Sequence, residues 1–140
     1  MTVKYADVAP GTELPAKNYR VTRLDLVKYA GASGDFNVIH WSERHARSVG
    51  LPGVIAHGMY TMAQAGKFVT DWAGDPGAVT EFGVRFSAVV PVPDGDEGTT
   101  IQVSGKVAEK LGDNKVAVDI VTKSGGAKVL TRARAIVRLP

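Results

Sequence analysis

The chain has 140 residues, a size that fits one domain, 1–140, with a buried core. It is 44% apolar and 22% charged, which excludes wholesale disorder, and it has no cysteine, which excludes a disulfide framework, a thiolate metal cage and a cysteine nucleophile. Seventeen Lys and Arg stand against fourteen Asp and Glu, a net charge of +3 that is scattered, with no basic run and no interleaved aromatics, so the pattern argues against a nucleic-acid partner.

Residues 1–17 read as a lead-in punctuated by Pro10-Gly11 and Pro15, without the apolar core of a secretory leader. Asn18–Val21 is a short strand. Thr22 caps a following helix in a capping box with Asp25, and Leu24, Val27 and Ala30 give that helix an apolar stripe until Gly31 and Gly34 stop it. A polar loop, Asp35–Trp41, leads to a short helix over Glu43–Val49, capped by Ser42 and closed by Gly50. After Val54–Gly58 comes a long helix from Met59 to Ala73, ended by Gly74; it is apolar around most of its circumference, which predicts deep burial.

From Ala78 the period switches to two. A strand is expected over Ala78–Val90, then three more around Thr100–Glu109, Lys115–Lys123 and Ala127–Leu139, separated by the hairpin residues Gly112-Asp113-Asn114 and Ser124-Gly125-Gly126. The fold class is α+β, an antiparallel β-sheet wrapped around the long helix. No apolar run approaches the ~20 residues of a membrane span, so no membrane partner is expected, and a cytoplasmic location is compatible.

Two segments carry the chemistry. Ser33–His40 places Asp35, Asn37 and His40 together directly after a helix, and an Asp and a His converging on one water can perform acid–base chemistry near neutral pH. The plainer reading is a loop in which Asp35 and Asn37 make Asx turns and His40 is packed. In Ala56-His57-Gly58-Met59, a glycine opens the buried helix, so a carbonyl can approach free N–H groups where the helix dipole favours negative charge. The plainer reading there is a tight turn in which His57 caps or packs. The three histidines, His40, His45 and His57, have no metal-binding spacing, so no metal site is expected. Arg132, Arg134 and Arg138 share a face of the last strand, either as solvated edge protection or as a docking patch for phosphates or an acidic carrier.

The run Tyr29–His40, which reads YAGASGDFNVIH, resembles the signature of the MaoC-like, R-specific enoyl hydratase/dehydratase family, approximately YAxxSGDxNPxH, and Ile55–Met59 resembles that family's second signature. The spacing between the two also fits. Trp72–Glu81 and Val84–Pro91 resemble the catalytic beta subunits of actinobacterial (3R)-hydroxyacyl-ACP dehydratases. One departure is Val38, where the family usually has proline, which restores a backbone N–H and some freedom to the loop.

The resemblance implies a hot-dog fold and a reversible (3R)-3-hydroxyacyl-thioester dehydratase without a cofactor. Asp35 and His40 would be the catalytic pair, Asn37 their support, and Gly58 N–H the carbonyl's hydrogen-bond donor. Ile55, Ala56 and His57, with Arg132 and Arg134, would bind an acyl-CoA or acyl-ACP substrate. It also implies a homodimer or a heterodimer with a related hot-dog subunit. The alternatives are a hot-dog acyl thioesterase and a non-catalytic acyl-binding subunit; the intact Asp35, Asn37 and His40 weigh against the latter.

Overall fold

Strands β1 (Glu13–Val21), β2 (Val79–Phe86), β3 (Thr99–Lys110), β4 (Lys115–Ser124) and β5 (Ala127–Arg138) form one antiparallel sheet in the computed structural model of residues 1–140, in the order β1-β3-β4-β5-β2. The β3–β4–β5 meander turns where the sequence tolerates left-handed backbone. Asp113 and Asn114 (φ 63° and 54°) make one connection, and Gly125 and Gly126 (φ 58° and 79°) the other. Two successive positive φ values give the hairpin twist that matches the strands.

The sixteen-residue helix α3 (Gly58–Ala73) lies against the sheet, touching β1, β2, β3 and β5. Its buried side chains Ala65, Phe68, Val69 and Ala73 join Val103, Val118, Ala135 and Val137 in the core. Gly105 on β3 makes room for this contact: a Cβ there would stand 3.4 Å from the Phe68 ring and 3.0 Å from the Asp119 carbonyl oxygen. Burying a phenylalanine in such a place contributes roughly 1.5–3 kcal/mol. Sheet and central helix together make the hot-dog fold.

Helix α1 (Arg23–Ser33) begins in the expected capping box between Thr22 and Asp25 and ends at Gly34 in the left-handed conformation, with Gly31 inside the helix. Its buried face is Leu26 and Ala30, one turn apart, whereas Leu24 and Val27 are exposed. The stripe expected through Leu24 and Val27 therefore points outward, and only Ala30 of it is buried. Strand β1 starts at Glu13, earlier than expected, with a register irregularity between Leu14 and Lys17 around Pro15. An edge strand tolerates proline there because it leaves the outward side of the ladder free.

Strand β2 stops at Phe86 instead of Val90. Ser87 and Ala88 N–H both turn to the Val129 carbonyl, and the chain then crosses to Val54–Ala56 through Ala56 N–H to Val90 O (2.9 Å) and Val92 N–H to Val54 O (2.9 Å). That crossing pins the segment entering α3. The first turn of α3 is more open than its composition predicts: Met59 is exposed and Met62 half-buried, so the apolar surface continues beyond what this chain covers. No helix is long and apolar enough to cross a membrane.

Candidate active site

A chain of side-chain-to-backbone hydrogen bonds shapes the loop after α1. Ser33 Oγ accepts from Asp35 N–H (3.2 Å), Asp35 Oδ1 from Asn37 N–H (3.1 Å), and Asn37 Oδ1 from Ile39 N–H (3.3 Å). The last bond starts a 3₁₀ turn, Val38–His40, followed by α2 (Glu43–Ser48). The Asx turns are therefore present, and they position the chemistry. Asp35 spends Oδ1 on the turn and leaves Oδ2 4.0 Å from His40 Nε2. That gap is too long for a direct hydrogen bond and admits a water or a substrate hydroxyl between the two groups.

His40 is buried, and its Nδ1 lies 2.7 Å from the Ile55 carbonyl oxygen. A carbonyl can only accept, so Nδ1 carries the proton and Nε2 is the ring nitrogen on the Asp35 side, free to accept or deliver a proton. His40 lines a cavity of about 400 Å³ with Ile39, Ile55, Ala56, Gly58 and Thr61, closed by Phe86–Val90, Val129 and Leu130. Its volume and mostly apolar walls fit a small-molecule site. Gly58 and Met59 N–H make no bond within the protein, and His57, at the cap position, makes no side-chain capping bond. The positive end of α3 thus opens toward the same space as His40.

His40, Ile55, Ala56 and Gly58 thus line one cavity; Asp35 meets His40 from the loop and Asn37 shapes that loop, without either lining the cavity. His57 does not line the cavity. It is buried behind His40, rings stacked at 3.8 Å, and its Nε2 lies 3.0 Å from the Asp35 carbonyl oxygen. Burial, above all, holds its pKa below the usual imidazole value; the Asp35 carbonyl opposes that shift and nearby His40 adds to it. Donor atoms of Asp35, His40 and His57 lie within 4.8 Å of one another. A metal binds along the lone pair in each imidazole's own plane, and these two planes are only 22° apart and stacked, which is a poor chelate.

Arg132 and Arg134 are not brought to this site. They border a separate surface hollow beside Asp119, and Arg134 is held by Asp119 (2.8 Å) and Glu109 (3.2 Å). Arg132 sits at a register irregularity of β5 with φ 47°. Arg138 pairs with Asp113. Charges already neutralised on an exposed strand face contribute about 0–1 kcal/mol. Arg134→Gln is expected to leave KM for a thioester within about twofold and to cost no more than that in stability, as steady-state kinetics and urea unfolding will show.

The cavity wall from Phe86 to Val90, with Val129 and Leu130, escaped the sequence reading because those residues look like ordinary strand. The usable signal was Ser-Ala-Val-Val-Pro directly after Phe86, where alternation ends before a proline. Val38 also has a simple account. It opens the 3₁₀ turn, its N–H makes no bond within the protein, and Asn37 before it is extended (φ −55°, ψ 130°), a conformation that a following proline accepts. Val38→Pro is expected to stabilise the chain by about 0.4–1 kcal/mol, seen as a melting temperature raised by about 2–4 °C.

With this geometry in place, the comparisons identify the class. The family model for the MaoC like domain matches residues 6–125, and the chain belongs to that family. It is 39% identical over 79 residues to 3-hydroxyacyl-thioester dehydratase X of Mycobacterium tuberculosis, covering 56% of this chain and 27% of that protein. It is 31% identical over 121 residues to 3-hydroxybutyryl-CoA dehydratase of Methylorubrum extorquens, covering 86% of this chain and 74% of that one. A solved MaoC-like dehydratase superposes with a TM-score of 0.95 at 43% identity over 99% of this chain, which spans 43% of that longer one. The chain is thus under half the length of two of these relatives.

Proposed function

We propose that the chain is a (3R)-3-hydroxyacyl-thioester dehydratase, reversible as an R-specific enoyl-thioester hydratase, a hydro-lyase of fatty-acid metabolism acting in the cytoplasm without a cofactor. The observation that carries this reading is the placement of Asp35 Oδ2 and His40 Nε2 4.0 Å apart, with His40 and Gly58, whose amide makes no bond within the protein, lining one mostly apolar cavity. The matched relatives named as 3-hydroxyacyl-thioester and 3-hydroxybutyryl-CoA dehydratases support it.

The chemistry follows from the placement. The C2 proton of a 3-hydroxyacyl thioester is weakly acidic, so its removal needs stabilisation of the negative charge that grows on the thioester oxygen. Gly58 N–H and the α3 dipole supply that stabilisation, an effect typically worth ~10²–10³ in rate per donor. One member of the Asp35/His40 pair takes the C2 proton, and a proton from the pair goes to the C3 hydroxyl, which leaves as water while the C2–C3 double bond forms. In hydration the pair deprotonates a water that adds to C3, and C2 is protonated. The apolar wall receives the acyl chain.

The partner is an acyl-CoA or acyl-ACP, and the assembly a homodimer or a heterodimer with a related hot-dog subunit. The edge strand β2 and the exposed apolar side chains Met59, Phe86 and Val89, all at or next to the cavity, support a second subunit completing the site. The test is incubation of the purified chain with trans-2-enoyl-CoA thioesters of increasing length, following loss of the conjugated thioester and the configuration of the product, with mass in solution measured alongside. Formation of (3R)-3-hydroxyacyl-CoA is expected. Release of free thiol without hydration would point to a thioesterase and overturn the reading.

A further inference from the structure

His57 is a costly residue to bury for packing alone. It is 1% exposed, the His40 face lies on one side of its ring, and the Tyr29 ring meets it edge-on at 4.8 Å. Its Nδ1 is buried without any hydrogen-bond partner. Phenylalanine would fill the same space and stack as well without stranding a lone pair, whose burial unpaired is unfavourable. What phenylalanine lacks is the Nε2–H that donates to the Asp35 carbonyl at 3.0 Å.

That bond has a special place in the loop. The other hydrogen bonds of residues 34–37 end within Ala30–Trp41: Gly34 N–H on Ala30 O, Asp35 N–H on Ser33 Oγ, Asn37 N–H on Asp35 Oδ1, Ile39 N–H on Asn37 Oδ1, His40 N–H on Asn37 O, and Trp41 Nε1–H on Phe36 O. They give the loop its shape and leave it exposed. His57 ties it to the body of the protein, from the start of α3, while its ring face supports His40.

We propose that His57 is a positioning residue that sets the separation of Asp35 and His40 by holding the Asp35 backbone carbonyl through its Nε2–H, while its ring face only packs on His40 as a phenylalanine ring also would. It stays neutral and moves no proton, because its one N–H is committed to Asp35 and its burial disfavours the imidazolium. The groups facing it are Asp35, His40 and Tyr29. The kinetic side of this proposal rests on the acid–base roles proposed above for Asp35 and His40.

Two variants separate the grip from the packing. His57→Phe keeps the ring and loses the donor; His57→Gln loses the ring and keeps an amide N–H near the position of Nε2. His57→Phe is expected to lower kcat for enoyl-thioester hydration about ten- to hundredfold, the cost of a misplaced catalytic group, with KM changed less than about twofold. His57→Gln is expected to recover most of that loss. Backbone ¹⁵N relaxation gives a readout independent of turnover: the Gly34–Asn37 amides should be ordered in the wild type and in His57→Gln and loosened in His57→Phe. Proton-coupled ¹⁵N spectra of the three imidazoles should show His57 neutral and protonated at Nε2.

Unchanged kcat and loop order in His57→Phe, or a loss in His57→Gln as large as in His57→Phe, overturns the proposal. If the wild type hydrates no thioester, the proposed activity fails, and loop order alone decides the role of His57. If His57→Phe does not fold, His57→Gln decides, since loosened amides there overturn the grip and ordered ones uphold it.

Discussion

Replacing either member of the acid–base pair, as Asp35→Asn or His40→Asn, is expected to reduce enoyl-thioester hydration by about 10²–10⁴-fold while the fold persists. The asparagines are chosen for what they preserve. At position 35, the amide oxygen can still accept Asn37 N–H and keep the turn, so the change removes a titrating group and little else. At position 40, the amide nitrogen can still donate to Ile55 O in place of Nδ1–H, while nothing replaces Nε2. Alanine at 40 would be a poorer probe. It would leave the Ile55 carbonyl unpaired and a gap against His57, at about 1–3 kcal/mol for the lost bond, and confuse instability with lost chemistry. On the proposed roles, in which the two groups act on one water, the double variant should be scarcely worse than the poorer single one. Steady-state kinetics with melting curves check this, and full activity in both single variants would sink the assignment.

The parts of this site legible in the sequence are those made by near neighbours. Asp35, Asn37 and Ile39 are two apart, and their turns follow from the habit of Asx side chains of bonding the backbone two residues on. Gly58 was legible because a glycine heading a long helix is itself a local pattern. Hidden were the contacts that depend on distant segments meeting. His40 takes its tautomer from Ile55, fifteen residues on, and His57 reaches back twenty-two residues to Asp35. The wall after Phe86 exists because β2 leaves β5 and crosses to Val54–Ala56, a choice made by the Val129 carbonyl and invisible to alternation. Arg134 misled for the same reason: its partners Asp119 and Glu109 lie on neighbouring strands, and register alone brings them to it. The face of α1 was likewise chosen by packing against distant segments, which took Leu26 rather than Leu24 inward.

Gly58→Ala separates stability from catalysis. The backbone at Gly58 is helical and needs no glycine for its conformation, and alanine is the better helix former by about 1 kcal/mol in helix interiors, so the fold should be unharmed. The added Cβ, however, would meet the Phe86 ring at 3.0 Å. That ring is half exposed and can swing aside, so the clash is relieved by moving Phe86. The Cβ then stands beside the amide that the thioester oxygen must reach. Because the oxygen's charge grows in the transition state, the loss should fall mainly on kcat, by about 10²–10³-fold, with melting temperature held or raised. Whether the damage comes from the Cβ or from the displaced ring is decided by a cycle with Phe86→Ala. If the ring is at fault, the double variant regains the activity of Phe86→Ala alone. If the Cβ blocks the amide, Gly58→Ala costs the same in either background, which the oxyanion role requires. Full activity in Gly58→Ala would remove that amide from the reaction.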